Sequence, residues 1–234
     1  MHGQPRRAVR ADAAGCLGIR PPLPAFLTAM VATDLLAFVR GNLPAPPLRL
    51  LEIGAGDGSL ARALASIGYE VVAIDPGATR ADVRPVALHE LDEPSGSFDA
   101  ALAVTSLHHV DPLEGSLARL AELLRPGGLL VVDEFDVAVF DERAAGWWLR
   151  QRQALGAAEH ADAKELVGEH RAHLHPLERI VAALEPHFQL GTPLYGAYLY
   201  RWDLDESLRY DEEDAIARAE IPAVGARLIA RRNV

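Results

Sequence analysis

Two hydrophobic periods alternate through the middle of this chain. Short apolar runs, "LRLLEI" at 48–53, "YEVVAID" at 69–75, "FDAALAVTS" at 98–106 and "LLVVDEF" at 129–135, have the composition of strands buried on both faces. Between them, apolar residues recur three or four apart. "SLARALASIG" at 59–68 reads as a helix stopped by Gly68. "PLEGSLARLAELLRPGG" at 112–128 reads as a second, with Leu113, Leu117, Leu120 and Leu124 along one side and Pro126-Gly127-Gly128 closing it. A weaker strand is expected in "VRPVALHE", 83–90. Strands alternating with helices predict an α/β fold, a doubly wound sheet joined by right-handed crossovers.

The flanks differ. Residues 24–43 have helical spacing and stop at Gly41-Asn42, whereas residues 1–22, rich in Ala, Gly, Pro and Arg, are expected to be poorly ordered. After Phe140 the pattern is helical to about residue 186. The tail offers two further strands, "PLYGAYLYRW" at 193–202 and "VGARLIARR" at 224–232, around an acidic helical piece.

Composition narrows the class. At 234 residues, half of them hydrophobic and 24% charged, the chain can bury a full core as one domain or one domain with a subdomain. The formal net charge of −10, with no basic run beyond pairs such as Arg6-Arg7 and Arg231-Arg232, disfavours nucleic acid as a partner. The single cysteine, Cys16, has no partner for a disulfide and is read as structural. No stretch has the roughly 18–20 uncharged apolar residues of a membrane span. Arg6, Arg7 and Arg10 precede no apolar core of a signal peptide, so a cytoplasmic protein with no membrane partner is expected.

The chemistry concentrates where the first strand meets its helix, in the pattern E-x-G-x-G-x-G: Glu52, Gly54, Gly56 and Gly58. A strand turning tightly into a helix aims the helix's first amides outward at the carboxyl edge of the sheet. Glycines there let a ligand touch the backbone. Asp75, ending the next strand, is placed to accept the hydroxyl hydrogens of a ribose. The dinucleotide fingerprint needs a glycine where Ser59 stands. An NAD(P)-dependent oxidoreductase, a different nucleoside-using enzyme and a catalytically inactive binding protein of this fold all remain open at this point.

"LLEIGAGDGSLARAL", "VVAIDPG", "GSFDAALAVTSLHHV" and "LAELLRPGGLLVVDEF", in that order over residues 48–136, resemble the successive signature segments of class I S-adenosylmethionine-dependent methyltransferases. The resemblance implies a Rossmann-like seven-stranded sheet, mostly parallel with an antiparallel last strand. It implies S-adenosyl-L-methionine as cofactor and S-adenosyl-L-homocysteine as product. Glu52, Gly54, Ala55 and Gly56 would then surround the methionine portion, Asp75 the ribose, and Pro76 the adenine, with Thr105 and Ser106 closing over the methionine end. The adenine-reading segment is atypical: "LHELDEP" offers Glu90 or Asp92, with Leu91 supplying an amide. A nucleobase amine methyltransferase is disfavoured, because "TSLH" stands at 105–108 in place of an Asn-Pro-Pro-Tyr type sequence.

The acceptor is expected to be a small molecule and the enzyme a monomer or homodimer, with residues 1–45 contributing a tail and helix to a lid and an insertion at about 141–186 completing it. His109, His108 and Glu134 are the candidate catalytic groups: either histidine as a base, and Glu134, with Asp133 beside it, facing the acceptor. Packing is the simpler role for the histidines. It is also the simpler role for Trp147 and Trp148, and bracing the sheet is the simpler role for Asp99. "DEED" at 211–214 reads as a solvated helix start. His160, His170, His173 and His175 have spacing compatible with an ion, yet no metal is expected without cysteine nearby.

Overall fold

A computed structural model describes residues 33–157 and 162–234. Cys16, His160, the arginines at 6, 7 and 10, and the first part of the expected 24–43 helix lie outside the described residues. The helix itself runs as α1, Thr33–Asn42. Strands β1 (Arg49–Ile53), β2 (Glu70–Ile74), β3 (Phe98–Val104) and β4 (Leu124–Phe135) pair in parallel, with α2 (Ser59–Ala65) and α3 (Leu113–Leu123) as crossovers. Helices α4 (Glu142–Ala154), α5 (Ala163–His173) and α6 (Leu177–Leu184) follow, then β5 (Phe188–Leu190), β6 (Leu194–Gly196), α7 (Arg209–Ala217) and β7 (Gly225–Arg232). The sheet order is β2-β1-β3-β4-β7-β5, with β6 also on β7, giving seven strands. β7 is antiparallel to β4, β5 and β6, so the last strand alone runs against the rest.

The period of two along the strands divides the core. Leu51, Ala101, Ala103, Leu130 and Val132 face α3 and α6, where Leu113, Leu117, Leu120 and Ile180 are fully buried. Leu50, Ala100, Leu102 and Val131 face α1 and α2, meeting Val39 and Leu64. Helices therefore cover both faces. α1 and α6, in the segments expected to contribute to a lid, pack as layers of the sheet's core. Trp147 and Trp148 are buried in a further cluster with Phe135, Phe140 and Leu199. Asp99 braces the sheet as expected, accepting the Arg49 amide at 2.8 Å and pairing with Arg125 at 2.6 Å.

Three expectations fail for identifiable reasons. The strand at 83–90 is reduced to one bridge, Arg84 to Ile74, followed by a 3₁₀ turn at Leu88–Glu90. Arg84 bonds β2 through both its amide and its carbonyl, but the next donor the ladder would use, the Val86 amide, turns back to the Arg84 carbonyl at 2.9 Å in a tight turn centred on Pro85, whose ring fixes φ. The seventh strand comes from Phe188–Leu190, three residues long and lying on one edge of β7 with β6. The strand expected through residue 202 ends at Gly196, and Leu199–Arg201 forms a 3₁₀ turn.

Glu212 causes that last departure and is itself a correction. It is fully buried rather than solvated, and its carboxylate accepts the amides of Tyr198 (2.8 Å), Leu199 (2.9 Å) and Tyr200 (2.8 Å). Amides so engaged leave the sheet ladder. Burial pushes the Glu212 carboxyl above its ordinary range against the pull of those three amides. Glu212→Ala strips three buried donors of their acceptor and should destabilise the fold by roughly 3 kcal/mol or more. A fall in the urea midpoint checks it; an unchanged midpoint would contradict this account of the turn.

Candidate active site at the carboxyl edge of the sheet

The parallel strands β1, β2 and β3 end along one edge, and the loops leaving them shape a cleft of about 320 Å³. That volume is in the range of small-molecule sites. β1 leads into Gly54, whose backbone has φ +67° and where an added Cβ would lie 2.4 Å from the Cβ of Ser106. Only glycine permits so close an approach of the loops after β1 and β3. At Gly56, φ +55°, the amide donates to Asp75 Oδ2 at 2.9 Å, and Gly77 donates to Oδ1 at 2.8 Å. Each carboxylate oxygen has a second lone pair, so Asp75 keeps capacity for a ligand hydroxyl.

Gly54, Asp75, Pro76, Thr105, Ser106 and His109 all line the cleft. Thr105 holds φ +51°, a left-handed conformation strained for a β-branched residue. The surroundings impose it. Its amide donates to the Asp133 carbonyl at 2.7 Å, and the next two amides, Ser106 and Leu107, donate to Glu134 Oε1 at 2.9 and 2.5 Å. The other oxygen, Oε2, accepts from His108 Nδ1 at 2.5 Å.

Glu134 is therefore no acceptor-facing group. It is 0% exposed, with both oxygens engaged in holding the turn after β3, and His108 is its buried partner. Asp133 likewise faces inward: it pairs with Arg201, and with Arg227 Nε at 2.6 Å, while Arg227 continues to Asp34 of α1 at 2.7 Å. Of the candidate catalytic groups, His109 alone reaches the cleft wall. Burial and the neighbouring His108, with His170 and His175 further off, hold the His109 imidazole below its ordinary value against the opposing charge of Glu134. His109 is thus neutral at pH 7 and able to accept a proton.

Glu90 and Leu91 do not line the cleft. Glu90 and Asp92 are exposed, and Leu91 is buried with its carbonyl accepting from Arg119 at 3.0 Å. Leu88 and His89, just before them, stand on the wall instead. Ala55 is buried behind Gly54 and its amide donates to the Ile74 carbonyl at 3.0 Å. His170 packs against Phe135, Phe140 and Trp202; His173 and His175 bond backbone carbonyls of Glu169 and Val110. No group of three metal-ligating side chains occurs among the described residues. Likewise, none of the described helices is long and apolar enough to cross a membrane.

A family model described as a methyltransferase domain matches residues 27–172. An uncharacterized methyltransferase of Mycobacterium tuberculosis is 34% identical over 173 residues, covering 65% of this chain and 85% of its own. Among solved structures, the chain is similar in fold to a putative methyltransferase from an antibiotic biosynthesis pathway of Anabaena variabilis (TM-score 0.57, 16% identity, 86% of this chain and 97% of that one). It is similar also to the Burkholderia thailandensis 1,6-didemethyltoxoflavin-N1-methyltransferase with bound 1,6-didemethyltoxoflavin and S-adenosylhomocysteine (TM-score 0.52, 18% identity, 87% and 78%).

The residues present fit the nucleoside ligand that the resemblance implies. Glu52, 4% exposed near the end of β1, lies behind the residues that line the cleft rather than on its wall, and has an oxygen, Oε2, with no hydrogen-bond partner. Burial raises its carboxyl from 4.5 to about 8, with the Ala61 amide opposing and Asp57 adding to the rise. A buried acid without a full set of partners is what a ligand cation beside the glycine loop would satisfy. Because the fold keeps Glu52 protonated where the unfolded chain ionises it, the fold loses stability as pH rises from about 4.5 to about 8 and has its full stability below that window. Urea unfolding across that window should show up to about 5 kcal/mol of decline from Glu52 in the ligand-free protein, a share removed in Glu52→Gln, which keeps the slope due to groups such as Glu212. A variant with the same pH slope as the natural chain would contradict the assignment.

Proposed function

The chain belongs to the class I S-adenosylmethionine-dependent methyltransferase family, and on that premise we propose that it methylates a small-molecule acceptor by in-line displacement. One observation carries the reading: the Gly54 backbone, the Asp75 carboxylate and the His109 imidazole line a single cleft at the carboxyl edge of the sheet. When bound, S-adenosyl-L-methionine supplies a methyl group already made electrophilic by its sulfonium. This chain's residues supply placement. Glu52 holds the ammonium, directly or through water, Gly54, Ala55 and Gly56 present backbone to the methionine portion, Asp75 takes the ribose hydroxyls, and Pro76 flanks the adenine. Thr105 and Ser106 close the methionine end, fixed there by Glu134.

Positioning and exclusion of water account for most of the acceleration such a reaction needs, up to roughly 7–11 kcal/mol in favourable cases. His109 adds to it as the base that takes a proton from the acceptor. His108 and Glu134 act through it as positioning residues. α4 and α5 form the acceptor-side lid. The acidic surface favours a small metabolite over nucleic acid as the acceptor.

Asp75→Ala should weaken binding of S-adenosylhomocysteine, measured by calorimetry, by roughly 1.5–3 kcal/mol, the range for hydrogen bonds to a charged group. Unchanged affinity in a folded variant would mean that the ribose lies elsewhere. Release of S-adenosylhomocysteine across a panel of phenols, amines and carbon acids tests turnover. With a responding acceptor, His109→Gln should lower kcat by about 10²- to 10⁴-fold. In the natural chain kcat should fall as pH drops below the ordinary imidazole range, where His109 gains its proton. A variant with full activity and the same acid limb would remove His109 from the mechanism.

A further inference from the structure

With Pro76, apolar residues from different segments line the cleft: Val86 and Leu88 after β2, and Val110 after β3. Apolar walls suit a flat aromatic ring, and polar groups along the ring's edge give it identity. The segment after β2, where the sequence leads one to expect the reading carboxylate, places neither Glu90 nor Asp92 on the wall. Two acids do lie there, Asp75 and Asp111. Asp75 already accepts the amides of Gly56 and Gly77.

Asp111 is exposed, and no described residue gives it a side-chain hydrogen bond or ion pair. One turn into α3, Ser116 belongs to the same wall; it is 0% exposed and its Oγ has no partner. A buried hydroxyl left unpaired is a cost that a ligand edge relieves.

We infer, resting on the reading of this cleft as the S-adenosylmethionine site, that the adenine edge is read from the α3 side, by Asp111 with Ser116. The Asp111 carboxylate, which only accepts hydrogen bonds when ionised, takes the exocyclic amine; the Ser116 hydroxyl, able to donate, pairs with a ring nitrogen. A base carrying a carbonyl in place of the amine meets two acceptors face to face and is rejected.

Calorimetry with S-adenosylhomocysteine and S-inosylhomocysteine tests this in the full chain, in Asp111→Asn, in Ser116→Ala and in Asp75→Ala, each checked for folding by circular dichroism. The natural chain should prefer the adenine form by roughly 10- to 100-fold. Asp111→Asn, whose amide both donates and accepts, should bring the two within about threefold of each other. Ser116→Ala should weaken both by about two- to tenfold. Retention of the full adenine preference in Asp111→Asn, with Asp75→Ala still impaired, overturns the Asp111 assignment and leaves the cofactor reading standing. A natural chain that binds neither nucleoside overturns the cofactor reading itself.

Discussion

A carboxylate sealed from water governs the geometry of this edge of the sheet. Glu134, at the end of β4, reaches under the loop after β3 and accepts two successive backbone amides and the His108 ring. Ionised carboxylates are rarely buried without such partners, because desolvation costs several kcal/mol. Satisfied in this way, Glu134 holds the Ser106 and Leu107 amides, the Asp133 carbonyl holds that of Thr105 in its left-handed conformation, and Ser106 stands against Gly54. The floor of the cleft depends on that clamp.

Four of the buried acids near this edge show how differently the same group can be compensated. Asp133 meets two arginines, Glu212 three amides, Glu134 amides and an imidazole. Glu52 has an oxygen with nothing to accept from, and burial raises its carboxyl accordingly. The contrast separates acids fully partnered within the chain from one that is not. Their roles follow from their partners, since all four are equally acidic in composition.

The ion-pair chain from Arg201 through Asp133 and Arg227 to Asp34 ties α1 to the ends of β4 and β7. Tyr200 joins the same chain, its hydroxyl donating to Asp34 Oδ1 at 2.5 Å. The two faces of the sheet are fixed by apolar packing, but the ends of β4 and β7 are held by charge. Buried charge pairs are geometrically demanding, so this edge resists sliding more than it gains in stability.

Local pattern alone determined the parallel strands, their helical crossovers, the glycine loop and Asp75 at the next strand end. Each of these needs only a period or a backbone conformation that neighbouring residues specify. Phe188–Leu190 shows a buried-exposed alternation, but three residues are too short a window for a period to register. Contacts across the fold decided the rest. Glu134 and Asp133 read in sequence as acids facing the acceptor and Glu212 as a solvated one, because their partners lie 12 to 94 positions away and burial is a property of the assembled layers. Val83–Glu90 has strand-like composition yet forms one bridge, since the chain turns at Pro85 and the Val86 amide bonds the Arg84 carbonyl in place of the neighbouring strand. For the same reason Asp111 and Ser116 join the cleft only once α3 packs against the turn at Leu88–Glu90, a juxtaposition set by tertiary packing.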